Sequence, residues 1–394
     1  MDHPRIAWIC NSAIRNSETF LVDNLKLLQD FANVKAFSGN QHPDNTHPDV
    51  THFNYDNLPL KWHHIVRRKI TGKDVRTLEK RRRCKKQLFQ TIQDFKPDLL
   101  WIEFGTTAHI ASDLIGALKR PYIIAVHGYD ISRELRDPWY AQEFVRLANS
   151  SLAIVCASHH TRNLCITAGV QNTLCEVIRY PIDGQKLTPT PRHEDQTTKF
   201  IHFGRLVEKK GPLQTILAFQ QVLNEIPNAT LTIIGDGPLR QTIEKRVKQA
   251  GIDRSIRIIG ALPQKKALEI VRQHTIFCQH SVTGNDGDQE GFALSPAEAA
   301  LLEKPVISTF HNGIPEHVIH GKTGLLVREW DIEGMASAMK KLAMNKTLAQ
   351  TMGANGRQHI LNLCNPETRK KNLQELIFSS LQEQFEEHQQ SVIR

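Results

Sequence analysis

Short apolar runs alternate with longer amphipathic stretches along most of this chain. In the first half the runs are Arg5–Cys10, Val34–Ser38, Asp98–Glu103, Tyr122–His127 and Leu152–Ala157. Each is too short for a helix and is bounded by polar residues, which predicts strands. Between them, Glu18–Phe31, Arg76–Phe95 and Pro138–Asn149 carry apolar residues at helical spacing. Strands that are apolar throughout predict a parallel sheet with helices on both faces. The alternation stops at Asp183–Thr198, where Gly184, Pro189 and Pro191 sit among polar residues. That is the composition of a linker. It restarts at Lys199–Gly204 and continues through Leu231–Gly235, Ile256–Gly260, Thr275–Gln279 and Pro305–Ser308, which predicts a second sheet of the same class. The stretch from Pro366 onward reads as a polar-rich helix. The predicted architecture is α/β, with two Rossmann-like domains facing a cleft. The first covers 1–182, a linker covers 183–198, the second covers 199–365, and a helix covers 366–394. In open α/β sheets, ligands bind outside the carboxyl ends of the strands, so the segments just after each strand are where chemistry is expected.

Length and composition agree with this picture. A chain of 394 residues exceeds one ordinary core, and 40% hydrophobic with 23% charged residues is a globular balance. No apolar run approaches the roughly 18 residues that span a bilayer. The opening Met1–Arg5 leads into a strand-like run without a signal-peptide cleavage pattern. Seven cysteines, an odd number with no C-x-x-C pair, read as reduced buried thiols of a cytoplasmic protein. Nineteen histidines offer no metal-ligand spacing, so no metal site is expected. The net charge is +9, densest at Arg67–Lys69 and Lys80–Lys86. Residues 67–86 could meet an anionic membrane surface, placing the protein at its inner face, or form a solvated helix face. Nucleic acid is disfavoured because the basic runs lack interleaved aromatics and a recognisable module.

Four segments after predicted strands carry candidate chemistry. Gly204-Arg205-Leu206-Val207-Glu208-Lys209-Lys210-Gly211 puts cations beside a helix start, which suits a diphosphate. Gly235-Asp236-Gly237-Pro238-Leu239-Arg240 allows a tight turn but departs from G-x-G-x-x-G at Arg240, which disfavours a dinucleotide. The long polar loop from Ser281 runs to Glu290 and on into Glu298, eight residues later. Both carboxylates could accept hydrogen bonds from sugar hydroxyls. For Glu298 an equal alternative exists: Ser295-Pro296-Ala297-Glu298 fits a capping box. Asp286-x-Asp288 resembles a metal-binding pair, a reading weighed below the metal-free one. In Val126-His127-Gly128 a strand-end histidine could contact a substrate hydroxyl or serve structure alone.

Together, Glu290-x7-Glu298, the G-R-L-x-x-x-K-G block at 204–211, Ile234–Pro238 and Val126-His127-Gly128 resemble family-four retaining glycosyltransferases of the GT-B fold. Ser17-Glu18-Thr19-Phe20 is similar to a loop of exopolysaccharide transferases, and Ser308–Glu316 to the colanic-acid and amylovoran branch. The resemblance covers nearly all of the C-terminal half and only strand-end loops of the N-terminal half. It implies that Gly204, Arg205 and Lys210 hold the donor diphosphate, which makes a metal unnecessary. It implies that Glu298 holds the ribose, that Glu290 contacts the transferred sugar, and that N–H groups of Gly291, Phe292, Ala293 and Leu294 assist. His127 would lie near the reacting carbon and Ser17, Glu18 and Thr19 on the acceptor side. His127, Glu290, Arg205 and Lys210 would form the catalytic set, and the C-terminal helix over 366–394 would cross back onto the first domain. The first loop, Asn11–Asn16, lacks the glycine pair of many relatives. The expected reaction moves a hexose from a nucleotide-sugar, UDP favoured over GDP, to a glycan or lipid-linked sugar acceptor with retention. A soluble small-molecule acceptor is the alternative, and a nucleotide-sugar isomerase a further one.

Overall fold

The computed structural model describes residues 3–10, 19–38, 50–52, 86–189 and 197–393. The chain packs into two compact units. The first comprises Met1–Ala157, Arg162–Ile178 and Arg369–Arg394, and the second Ser158–Thr161 and Arg179–Thr368. Ser17, Glu18 and the basic run 67–85 lie outside the described residues, as does the Thr19 side chain.

The first unit is built on a seven-stranded sheet. Its strands are β1 (Arg5–Cys10), β2 (Asn33–Ser38), β3 (Val50–His52), β4 (Leu99–Glu103), β5 (Tyr122–Val126), β6 (Ala153–Cys156) and β7 (Cys175–Val177). Their order is β3-β2-β1-β4-β5-β6-β7, and every pairing is parallel. Successive residues bury on opposite faces, as a strand's two-residue period requires. Ile9, Leu100, Ile102, Ile124 and Val126 enter one core. Trp8, Leu99, Trp101, Ile123 and Ala125 enter the other. The second face is covered by Leu21, Leu25 and Leu28 of the helix Thr19–Gln29 and by Leu373, Ile377 and Leu381 of the long terminal helix Pro366–Ile393. Both faces are therefore dry, which explains why these strands are apolar end to end.

The second unit repeats the plan with β8 (Lys199–Phe203), β9 (Thr230–Ile234), β10 (Ile256–Gly260), β11 (Ile276–Cys278), β12 (Val306–Thr309) and β13 (Gly324–Val327). The order is β10-β9-β8-β11-β12-β13, again all parallel. One face packs Phe200, Leu231, Ile233, Cys278 and Ile307 against Ile216 and Phe219 of the helix Pro212–Val222 and Met335 and Met339 of the helix Ile332–Met344. Residues 183–189 run along this unit: the Arg357 guanidinium donates to the carbonyls of Gly184, Leu187 and Leu301.

In each sheet the strand order reverses beside the first strand, between β1 and β4 and between β8 and β11. A doubly wound sheet opens a crevice at the carboxyl ends there, because the helices on either side lie on opposite faces. The predicted strands fall where the sheets have them. The pattern did not mark β3, β7 and β13, which are only three or four residues long.

Candidate functional site

In the second unit, β8 ends at Phe203 and the chain turns sharply. The Gly204 N–H donates to Ile234 O of β9 at 3.0 Å. Gly235 follows β9 with φ +146°, and a Cβ there would lie 1.8 Å from Gly204 O. Only glycine allows the two strand ends to approach so closely. After buried Leu206, residues Glu208–Lys210 form a single 3₁₀ turn that ends at Gly211, φ +56°. A Cβ on Gly211 would strike His280 O at 1.7 Å. Pro212 then occupies the first turn of the helix Pro212–Val222, where its missing N–H costs nothing.

This turn aims two adjacent lysines at the loop that follows β11. Lys209 Nζ donates to Asp288 Oδ1 at 2.9 Å and to Gln289 O at 3.2 Å. Lys210 Nζ donates to Glu290 Oε2 at 3.0 Å. Glu208 completes the grip by accepting from Asn285 N and Nδ2 at 2.8 and 3.0 Å. Arg205 is exposed and makes no ion pair with any described residue. Asp288 is thus engaged by a lysine, and Asp286 Oδ1 accepts from Asp288 N at 3.0 Å. No group of three or more metal-ligating side chains gathers among the described residues.

Glu290 is 5% exposed. Burial would raise its pKa, but the ammonium groups of Lys210 and Lys209 and the hydrogen bond from Lys210 outweigh that and hold it at about 2. Burial likewise lowers the Lys210 pKa against the pull of Glu290. The second carboxylate oxygen, Oε1, is buried and has no hydrogen-bond partner among the described residues. A buried carboxylate oxygen without a donor is costly, so it marks a place where a ligand donor would bind well.

The Glu290 backbone is held by a histidine that residue patterns did not single out. Glu290 N donates to His311 Nε2 at 3.2 Å, and Asn312 Nδ2 donates to the same nitrogen at 2.8 Å. His311 must therefore carry its proton on Nδ1, which lies 2.6 Å from Glu329 Oε1. The other Glu329 oxygen accepts from Thr283 N at 2.8 Å. Glu208, Lys209, His311 and Glu329 together fix the loop. In the sequence Glu208 and Lys209 stand in the block 204–211 and His311 in Ser308–Glu316, but nothing there shows that they meet the loop of Glu290.

The helix Leu294–Leu301 starts earlier than a capping box at Ser295 requires. Its N-cap is Ala293 in the left-handed conformation, φ 59°, and no side chain caps it. Ser295 is inside the helix and bonds Gln279 Oε1 at 3.1 Å instead. Glu298 is buried in the second turn and accepts from Gln264, on the helix that follows β10. The N–H groups of Gly291, Phe292, Ala293 and Leu294 find no acceptor among the described residues. Arg205, Lys210, Glu290 and this row of donors come from the segments after β8 and β11, at the strand reversal.

In the first unit, His127 follows β5. Its ring lies 4.4 Å from Phe104 and 4.9 Å from Phe20 between centroids. Its Nε2 is 2.7 Å from Oε2 of the buried Glu103. Asp130 Oδ1 accepts from the N–H groups of His127 and Gly128, which fixes the turn.

Replacing Glu290 by Gln strands the Lys210 charge in a buried place, an effect of about 3–5 kcal/mol when one partner of a buried pair is removed. The Glu290 pKa is depressed from 4.5 to about 2, so its contribution is complete above 4.5 and is lost as pH falls toward 2. Urea melts should therefore show Glu290→Gln less stable at pH 7, with the gap to wild type closing between pH 4.5 and 2. A gap independent of pH would contradict the ionised pair.

Residues 185–359 match the family model of glycosyl transferases group 1. The amylovoran biosynthesis glycosyltransferase AmsK of Erwinia amylovora is 26% identical over 255 residues, which are 64% of this chain and 63% of that protein. The match thus spans just under two thirds of that relative. The GDP-mannose-dependent alpha-(1-6)-phosphatidylinositol monomannoside mannosyltransferase of Mycolicibacterium smegmatis is 24% identical, over 71% of this chain and 76% of that protein. Among solved structures, Anabaena HepE in complex with UDP and glucose superposes with a TM-score of 0.77 at 18% identity, covering 96% of this chain and all of that one. No helix among the described residues is long and apolar enough to cross a membrane. Residues 185–359 thus make a glycosyl transferases group 1 domain, in a chain with the two-domain α/β GT-B fold of solved glycosyltransferases.

Proposed function

We propose that this protein is a retaining glycosyltransferase that moves a hexose from a nucleotide-sugar to an acceptor hydroxyl. The observation that carries the reading is Glu290: a buried, ionised carboxylate with one oxygen lacking a donor, beside an exposed arginine, within a glycosyltransferase group 1 domain. A carboxylate oxygen repels phosphate and accepts from hydroxyls, so Glu290 Oε1 is assigned to a hydroxyl of the transferred sugar. Arg205, the remaining N–H donors of Lys210 and the N–H row from Gly291 to Leu294 are assigned to the diphosphate. They stabilise charge that grows on the leaving oxygen, the task a metal ion performs elsewhere. Glu298, held near the end of β10 by Gln264, is assigned to the ribose.

In the proposed reaction the bond from the anomeric carbon to the leaving phosphate oxygen breaks. A bond from that carbon to the acceptor oxygen forms on the same face, and the acceptor proton passes to the departing phosphate. His127 contacts the sugar near the reacting carbon. The AmsK relative, named for amylovoran biosynthesis, supports a place in exopolysaccharide assembly. A glycan or lipid-linked sugar is the acceptor this reading assigns. The UDP bound by HepE supports a UDP-sugar, and the mannosyltransferase relative makes GDP-mannose the competing donor to test.

Thermal-shift screening against UDP- and GDP-sugars in EDTA should find a stabilising donor. The gain is about 2.7 kcal/mol at a hundredfold excess over Kd. Losing one charged hydrogen bond costs about 1.5–3 kcal/mol, so Arg205→Ala should weaken the response roughly 10- to 100-fold in Kd. A response that needs a divalent ion would contradict the metal-free assignment. Once donor and acceptor are known, an NMR time course should show the donor's anomeric configuration kept in the first product. An inverted linkage would overturn the mechanism.

A further inference from the structure

The side chain that faces His127 is absent from every role assigned so far. Glu103 ends β4, beside β5, and has no exposed surface. Its Oε1 accepts from three N–H groups: Trp8 Nε1 at 2.9 Å, Trp101 Nε1 at 2.8 Å and Asn24 Nδ2 at 2.5 Å. Trp8 and Trp101 pair directly across β1 and β4, and Trp101 lies two residues before Glu103, so all three side chains share one face of the sheet. Indole N–H groups only donate, so Oε1 is an obligatory acceptor. Burial pushes the Glu103 pKa up, but the hydrogen bonds, led by that from His127, bring it below the ordinary carboxylate value. A carboxylate has no proton to give. The 2.7 Å contact of Oε2 with His127 Nε2 therefore requires the proton to sit on Nε2.

The far side of this cluster is equally determined. Asn24 Oδ1 accepts from Arg369 Nη2 at 2.8 Å, and Arg369 Nη1 donates to Ile178 O at 2.6 Å. An arginine cannot accept, so the Asn24 amide must turn its NH₂ toward Glu103. Arg369 lies in the terminal helix Pro366–Ile393. A chain of buried hydrogen bonds thus runs from that helix through Asn24 and Glu103 to His127, entirely within the first unit. An apolar side chain at position 103 would fill the core without the desolvation cost of a buried charge. The ionised carboxylate is explained by what it does to the histidine.

We propose that Glu103 is a positioning residue for His127. It fixes the Nε2–H tautomer and the ring plane, and is itself set by Trp8, Trp101 and the Asn24–Arg369 link to the terminal helix. The inference rests on the transferase reading for its effect on turnover, but not for its effect on the tautomer.

Glu103→Gln tests both. With three N–H groups at the Oε1 position, the glutamine oxygen takes that place and its NH₂ faces His127. The imidazole must then accept through Nε2 and move its proton to Nδ1. In ¹⁵N-histidine NMR, with His127 assigned by comparison with His127→Gln, wild type should show Nε2–H and Glu103→Gln should show Nδ1–H. If His127 presents its wild-type tautomer to the sugar, kcat should fall about 100-fold, as when one preorganised polar contact is lost, with donor KM nearly unchanged. Nδ1–H in wild type would overturn the proposal without any variant needing to fold. So would an unchanged tautomer in Glu103→Gln, or an altered tautomer with full kcat. Wild type that turns over no nucleotide-sugar, yet shows the tautomer switch, would sink the transferase reading and leave the hold of Glu103 on His127 intact.

Discussion

The second unit depends on one ion pair, Lys210 with Glu290. Both groups are almost out of water, where the desolvation of two charges cancels most of their attraction. A pair of well-packed apolar side chains would hold the loop as firmly. What an apolar pair could not provide is an ionised carboxylate at a fixed place with one oxygen left open. The turn Glu208–Lys210, the glycines that allow it, and the His311–Glu329 support behind the Glu290 backbone all serve to keep that carboxylate where it is.

Each unit contains a buried carboxylate beside a basic group, and the two differ in an instructive way. Glu103 has donors on both oxygens, four in all. Among the described residues, Glu290 has a donor on one oxygen and none on the other. A fully satisfied carboxylate stiffens its surroundings, whereas an unsatisfied one is completed by a ligand. This difference separates the positioning role proposed for Glu103 from the binding role proposed for Glu290 without reference to any relative.

Much of the fold was legible because buried parallel strands are apolar from end to end. Arg5–Cys10 and Ile256–Gly260 were read to the residue, and β5 stops one residue short of the predicted His127. The short strands β3, β7 and β13 carry too few residues to make a pattern. The helix start at Ala293 was not legible, since alanine gives no sign of a left-handed conformation. The candidate site residues stood out in the sequence by their place after strand ends and by resemblance, but their mutual contacts did not. Lys210 and Glu290 stand 80 residues apart, as do Lys209 and the Gln289 carbonyl it binds, and no periodicity links them. Glu103 read as the polar end of a strand. Its meaning comes from Trp8, Asn24 and His127, which only the folded sheet brings together.

The central claim is that Glu290 recognises the transferred sugar, and calorimetric titration tests it most directly. Wild type and Glu290→Gln are each titrated with the nucleoside diphosphate alone and with the corresponding nucleotide-sugar. The account predicts that Glu290→Gln binds the diphosphate within about threefold of wild type and loses the added affinity conferred by the sugar, of order 1.5–3 kcal/mol for a hydrogen bond to a charged group. Equal losses for both ligands would contradict it, because Glu290 would then act only through Lys210 and the diphosphate.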